Sequence, residues 1–161
     1  MQKYDLIVIG SGPGGQRAAI QGAKLGKRVA VIEKKEVVGG ACINTGTIPS
    51  KTMREAVMHL SGYQYQNVYG MNYRVKERIT MEDLMFRCQH VIRTECDVTQ
   101  NQMSRNTVDL HYGAASFIDS HTIRIEGTRG TSEMAADKIV IAVGTRPAVS
   151  ATVPINNRTI I

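Results

Sequence analysis

Residues 4–33 read YDLIVIGSGPGGQRAAIQGAKLGKRVAVIE, and their order decides the architecture. Residues 4–9 are a short apolar run with β-branched members that ends at a glycine, the pattern of a strand buried on both faces. Residues 13–26 carry Ala18, Ala19, Ile20, Ala23 and Leu25 and stop at Gly26, which predicts a helix with a glycine at its carboxyl end. Residues 28–33, RVAVIE, predict a second buried strand. Strand, helix and strand within about 30 residues make a βαβ unit, and its two strands lie parallel.

Between the first strand and the helix, Gly10, Gly12 and Gly15 match G-x-G-x-x-G. The pattern alone is weak; here it follows a predicted strand and opens a predicted helix, which is the context that makes it informative. Gly10 permits the tight turn, Gly12 lets a pyrophosphate approach the backbone, and Gly15 lets helix and strand pack closely. The helix amino terminus then offers free N–H groups and the positive end of its dipole to phosphate. Glu33 closes the second strand, where a carboxylate accepts hydrogen bonds from the ribose hydroxyls of an adenosine. The residues predict dinucleotide binding, without separating FAD from NAD.

Further along, a helix is predicted from about Pro49 to Leu60, and residues 62–79, tyrosine-rich and without a clear period, read as loop. Thr80 opens TMED, a capping-box-like start with Asp83 at the third helical position, and a long helix runs to about Asn106. Leu84, Cys88, Ile92, Cys96 and Met103 form its apolar stripe. Beyond residue 108 the stretches VDLHYG, ASFID, TIRIEG and EMAADKIVIAVG predict short strands, with turns at Asp119-Ser120 and at Gly127 to Gly130. They read as a small antiparallel meander that returns to a buried strand.

Bulk properties exclude several classes. No apolar run reaches 18 residues, so no membrane span is predicted, and the amino-terminal apolar run is too short for a signal peptide. A cytoplasmic protein is the expectation. Lys and Arg number 20 against 14 Asp and Glu, but they are scattered with little aromatic interleaving, which argues against nucleic acid. The three cysteines, at 42, 88 and 96, have no zinc-type spacing, and no metal site is expected. Cys88 and Cys96 would lie about 12 Å apart along a helix axis, too far for a bridge, and read as core thiols. A sequon at Asn157-Arg158-Thr159 reads as a chance occurrence.

Residues 39–51, GGACINTGTIPSK, resemble the active-site segment of the pyridine nucleotide-disulfide oxidoreductases, which runs close to G-G-x-C-x-N-x-G-C-x-P-S-K. Gly39, Gly40, Cys42, Asn44, Gly46, Pro49, Ser50 and Lys51 match. Thr47 stands where the second cysteine of the family's redox disulfide belongs. GAASF (Gly113 to Phe117) and IVIAVGTRP (Ile139 to Pro147) resemble the family's strand near the adenine and its A-T-G-x-x-P return strand, with Val143 in the threonine position.

The resemblance implies an α/β, Rossmann-like FAD-binding domain spanning residues 1–161: a parallel sheet with helices and a small antiparallel β-meander, incomplete at its carboxyl end. It also implies the residues that line FAD: Gly10, Gly12, Pro13, Gly14, Gly15, Glu33, Lys34, Gly40, Ala41, Cys42, Gly46, Lys51, Gly113, Ala115, Ala142 and Gly144. Lys51 and Cys42 are the catalytic candidates, Lys51 as a cation beside the reactive edge of the flavin. Cys42 also reads as a small residue packed against the flavin ring.

A threonine hydroxyl forms no disulfide, so the usual electron relay from flavin to dithiol is broken. The branch of the family that carries GTIPSK with threonine in that place comprises soluble transhydrogenases, which implies hydride exchange between NADPH and NAD+ through FAD. Two alternatives stay open: a dihydrolipoamide dehydrogenase-like disulfide reductase whose second cysteine has been replaced, and a non-catalytic flavin-binding chain. Only one G-x-G-x-x-G occurs in the 161 residues. The resemblance therefore implies that the NAD(P)(H)-binding and dimerisation domains lie outside them, that the isolated chain is inactive, and that the complete protein is a homo-oligomer.

Overall fold

The computed structural model describes residues 2–128, 130–145, 148, 152, 153, 155, 156 and 158. Arg146 and Pro147 of the return-strand motif, and Asn157 and Thr159 of the sequon, lie outside the described residues. The chain forms β1 (Gln2–Ile9), α1 (Pro13–Lys24), β2 (Val29–Glu33), α2 (Gly40–Asn44), α3 (Thr47–Leu60), α4 (Gln66–Tyr69), α5 (Met81–Arg105), β3 (Asp109–Tyr112), β4 (Ala114–Phe117), β5 (Thr122–Gly127) and β6 (Gly130–Ile141). One six-stranded sheet holds the strands in the order β3-β2-β1-β6-β5-β4.

Four neighbouring strands, β3, β2, β1 and β6, run parallel, and β6, β5 and β4 form an antiparallel meander. Strand β6 belongs to both halves. Its first residues pair with β5 from Gly130 to Ala135, and from Met134 to Ile141 it pairs in parallel with β1. The parallel βαβ start and the meander are therefore as the sequence predicts. VDLHYG is not part of the meander: β3 lies parallel beside β2. It follows the long helix α5, and a strand–helix–strand crossover within one sheet delivers its second strand parallel to the first.

Strand β2 is buried along its whole length, and its alternation sorts the core into two layers. Val29 and Val31 pack with Val8, with Ala19 of α1 and with Met103 and Val108 at the end of α5. Ala30 and Ile32 pack on the other face with Tyr4, Ile7, Ile123, Ile125, Met134 and Ala136, so the meander covers the face that the helices leave bare. Each of the larger aliphatic side chains contributes about 1.5–3 kcal/mol by leaving water.

Helix α5 begins as the sequence predicts. The Thr80 side chain accepts from the Asp83 amide, and the Asp83 carboxylate accepts from the Thr80 amide. Leu84, Cys88 and Met103 are buried on its stripe, joined by Thr99, whereas Ile92 and Cys96 are only half-buried. Three expectations need correction. Helix α3 starts at Thr47, with α2 before it, because Gly46 accepts the first turn's hydrogen bond from Ser50. The stretch 62–79 is not all loop: a 3-10 turn at Tyr63–Tyr65 leads into α4, and the rings of Tyr65, Tyr69 and Tyr73 cluster, Tyr65 edge-on to Tyr73 and the other two pairs tilted. The return strand is not buried throughout, since Ile141 is 64% exposed at its end.

Candidate functional site at the strand carboxyl ends

Chain segments leaving the parallel strands converge at one edge of the sheet. The Gly10 amide donates to the Ile32 carbonyl (2.8 Å), the Ala142 amide to Ile9 (2.8 Å) and the Gly113 amide to Glu33 (2.9 Å). Three backbone hydrogen bonds thus join the ends of β1, β2, β3 and β6 into one floor. Ligands of open α/β sheets bind outside such carboxyl ends.

Above this floor stands the amino terminus of α1. Gly10 has φ +103°, and a Cβ there would collide with the Ala142 carbonyl oxygen; one at Gly15 would collide with the Gly10 carbonyl oxygen. Both collisions are with backbone, so glycine is what permits β1, α1 and β6 to meet this closely. At Gly12 and Gly14, by contrast, an added Cβ would meet no heavy atom within 4 Å. Gly12 caps α1 without a side-chain hydrogen bond, Pro13 follows it, and no acidic residue sits in the first turn. Uncapped first-turn amides facing open space are what an anionic group binds.

Ser11 ties three segments together from a fully buried position. Its amide and hydroxyl both donate to Glu33 Oε2, at 2.9 and 2.6 Å. Its hydroxyl and carbonyl oxygens accept from the Gly39 amide (3.1 and 3.2 Å), and its carbonyl also accepts from the Gln16 side chain (2.8 Å). Glu33 Oε1 accepts from the Lys35 amide at 3.0 Å. Burial pushes the Glu33 carboxyl up, but the hydrogen bonds from Lys35 and Ser11, with the adjoining Lys34 amide beside them, more than offset it and hold the group below its ordinary value. Glu33 is a buried anion with its partners in place.

The segment 38–49 closes over this corner. A Cβ on Gly40 would stand 2.9 Å from the Gly12 Cα, so the two glycine segments touch backbone to backbone. Asn44 braces the turn by donating to the carbonyls of Val38 (2.8 Å) and Gly40 (2.9 Å). From below, the thiols of α5 reach the same segment, Cys96 to the Val38 carbonyl and Cys88 to the Pro49 carbonyl, both at 3.5 Å. Burial, with Asp97 and Glu95 nearby, pushes the Cys96 thiol up. Cys42 is half-buried on α2, and all three cysteines are free thiols. Thr47 and Lys51 are exposed and lie one turn apart on α3, hence on one side of it.

The structure therefore gathers Gly10, Gly12, Pro13, Gly14, Gly15, Glu33, Gly40, Gly113 and Ala142 at one corner. Ala41, Cys42 and Gly46 lie in the segment that closes it, where a side chain on Gly46 would press to 2.9 Å from the Ala41 carbonyl oxygen. Lys34 is exposed just beyond Glu33, and Gly144 is exposed beyond β6. Ala115 sits in β4, packed against the Tyr4–Ile7 layer. Among the described residues, no hydrogen bond links Lys51 to the corner. Sequence reasoning missed Ser11 and gave Asn44 no role. A buried serine between two required glycines, and an amide four residues after a glycine pair, are the signals that mark them.

A cavity of about 650 Å³ lies elsewhere, between the later turns of α3 and the start of α5, lined by Glu55, His59, Leu60, Asp83, Phe86 and Arg87 among others. Among the described residues, no helix is long and apolar enough to cross a membrane, and no group of His, Cys, Asp or Glu is arranged to hold a metal ion.

This architecture defines a Rossmann-like dinucleotide-binding domain. Residues 4–159 match the family model of the pyridine nucleotide-disulphide oxidoreductases, and the chain belongs to that family. It is 57% identical over 150 residues to a soluble pyridine nucleotide transhydrogenase of Mycobacterium bovis (strain BCG / Pasteur 1173P2), covering 92% of this chain and 32% of that protein. A protein of the same name from Colwellia psychrerythraea is 42% identical over 145 residues, covering 89% and 31%. Among solved structures, the Cu(II) complex of the HOCl-induced flavoprotein disulfide reductase RclA from Escherichia coli superposes with a TM-score of 0.77. It is 28% identical, covering 96% of this chain and 32% of that one. The chain spans about a third of the length of the relatives it matches.

Proposed function

We propose that the chain is the FAD-binding portion of a soluble NAD(P)+ transhydrogenase, in which hydride passes between NADPH and NAD+ by way of FAD and no redox disulfide takes part. The observation that carries this reading is Thr47 on the first turn of α3, in a segment that otherwise keeps the family's residues. The high identity to proteins of that name supports it.

The residues present fit the cofactor. The uncapped amides of the first turn of α1, with open space at Gly12 and Gly14, suit a pyrophosphate. The anionic Glu33 suits a ribose hydroxyl. Bound FAD supplies a hydride acceptor and donor. The chain's own part is to hold it: Gly10, Gly12, Pro13, Gly14 and Gly15 bind the phosphates, Glu33 and Lys34 face the adenosine, and Gly40, Ala41, Cys42 and Gly46 pack along the ring system. Gly113, Ala115, Ala142 and Gly144 line the remaining wall. Lys51 places a positive charge near the reacting edge, and Cys42 serves as a packed small residue there. The pyridine nucleotides bind to parts of the protein outside these residues, and the whole protein is a cytoplasmic homo-oligomer.

The test is an assay of the whole protein. NADPH-to-NAD+ hydride transfer that survives thiol alkylation is the expected result. Dihydrolipoamide or glutathione turnover at a comparable rate refutes it. Thr47→Cys separates the replaced-cysteine reading, because a disulfide reductase regains dithiol-dependent turnover with a second thiol and a transhydrogenase does not.

A further inference from the structure

Resting on the reading of FAD at this corner, we infer that Ser11 restricts Glu33 to a single hydroxyl of the adenosine ribose, so that the 2′,3′-diol is read at one oxygen and not at two. A carboxylate offers about four lone-pair directions, two on each oxygen. Glu33 Oε2 already accepts two hydrogen bonds, from the Ser11 amide and the Ser11 hydroxyl. The hydroxyl is not free to turn away. Its oxygen accepts from the Gly39 amide at 3.1 Å, which leaves its proton for Glu33, and the 2.6 Å separation is that of a charge-assisted bond. The Ser11 side chain is fully buried, so water offers its hydroxyl no alternative partner. Oε1 accepts one hydrogen bond, from the Lys35 amide, and keeps one direction open.

A diol engaging both oxygens would need an open direction on each, and Oε2 has none while Ser11 is present. The serine is therefore a positioning residue for ribose recognition: it acts through Glu33 and need not touch the cofactor. Removing its hydroxyl leaves the Ser11 amide on Oε2 and opens the second direction, while the Gly39 amide keeps the Ser11 carbonyl as acceptor.

The experiment measures the affinity of the protein for FAD and for two FAD analogues, one lacking the adenosine 2′-hydroxyl and the other the 3′-hydroxyl, in the natural sequence and in Ser11→Ala. In the natural sequence one analogue is expected to bind about 10- to 100-fold more weakly than FAD, the loss of one hydrogen bond to a charged group. The other should bind within about twofold, an energy difference well below one hydrogen bond. In Ser11→Ala both analogues should lose affinity relative to FAD. Comparable losses for the two analogues in the natural sequence overturn the inference. So does a variant that binds all three ligands more weakly by one common factor, which is what a purely structural serine predicts. Should the variant fail to fold, the natural sequence's ratio for the two analogues decides alone. Absence of saturable FAD binding in the natural sequence refutes the cofactor reading itself.

Discussion

Replacing Glu33 by Gln tests the corner without changing its shape. Three donors face this carboxylate: the Ser11 amide and hydroxyl on Oε2, and the Lys35 amide on Oε1. An amide side chain offers one acceptor oxygen and one donor nitrogen. With its oxygen toward Ser11, its nitrogen meets the Lys35 amide donor to donor; turned over, it opposes both Ser11 donors. The first orientation is the less costly. One opposed donor costs about 1–3 kcal/mol, and the two remaining bonds lose the strengthening that an ionised acceptor gives. The loss at neutral pH is therefore about 2–4 kcal/mol, or roughly 5–15 °C in Tm for a chain of this size. The effect also has a pH signature. The hydrogen bonds hold the folded carboxyl below its ordinary value of 4.5, so its contribution is complete above that value and is lost as pH falls through the folded one. Urea unfolding of the natural chain and of Glu33→Gln between pH 7 and pH 3 measures both. The gap in stability should be largest above about pH 5 and should close on acidification. Equal midpoints at pH 7, or a gap that widens in acid, would refute the account of Glu33 as an anion fixed by Ser11.

The two glycines at the start of α1 should respond in opposite ways. Gly15→Ala drives a methyl into the Gly10 carbonyl and should cost about 3 kcal/mol or more. Gly14→Ala meets nothing within 4 Å and should leave Tm unchanged or slightly raised, yet weaken FAD binding in a titration if its open face receives the pyrophosphate. At the opposite end of the sheet, the buried Tyr4 hydroxyl donates to Asp109 Oδ2 at 2.9 Å, spanning β2 to join β1 with β3, and burial together with Asp109 pushes its pKa up to about 12. Tyr4→Phe should cost about 1–2 kcal/mol in thermal or urea unfolding. Beside it, burial holds His111 below its ordinary value of 6.5 against the opposing pull of Asp109. The unfolded chain takes up that proton more readily, so stability should rise with pH just below 6.5, and His111→Gln should remove that slope in unfolding curves. In the whole protein, Cys42→Ser should leave hydride transfer within about twofold, whereas Asn44→Ala, which removes the side-chain hydrogen bonds to the Val38 and Gly40 carbonyls, should lower FAD affinity about tenfold.

What the sequence reveals and what it conceals follow from the range of the interactions concerned. The βαβ start is legible because its signals are local: an apolar run, glycines at fixed offsets and a helical period, all within residues 4–33. The Thr80–Asp83 capping box is legible for the same reason. The parallel setting of β3 escapes a local reading, although α5 ahead of it carries the information, because the short VDLHYG groups naturally with the strands that follow it and not with the helix that delivers it. Tyr65 and Tyr69 stand four apart, a helical spacing that the surrounding polar residues mask. Ser11 has no period and no motif of its own. Its role exists only once Glu33, 22 positions away, and Gly39, 28 away, are folded against it. The exposure of Ile141 concerns what packs on the end of β6, a long-range matter that its apolar composition does not encode.

The retention of the 39–51 segment without its second thiol has a physical reading in the same contacts. If the segment served only to present a dithiol, loss of the partner at position 47 would leave the rest free to drift. Instead Gly40 fits against Gly12 at backbone distance, Gly39 donates to Ser11, and Asn44 ties Val38 to Gly40. Cys88 and Cys96 of α5 hold the segment's carbonyls from beneath. Each of these contacts shapes a wall of the corner where β1, β2, β3 and β6 end, and none involves the Cys42 thiol. A segment bound this way is constrained by the geometry of the wall whether or not a disulfide lies in it. Thr47, exposed on the first turn of α3 and making no side-chain hydrogen bond to the wall among the described residues, is the position where the thiol could be exchanged for a hydroxyl at the least structural cost.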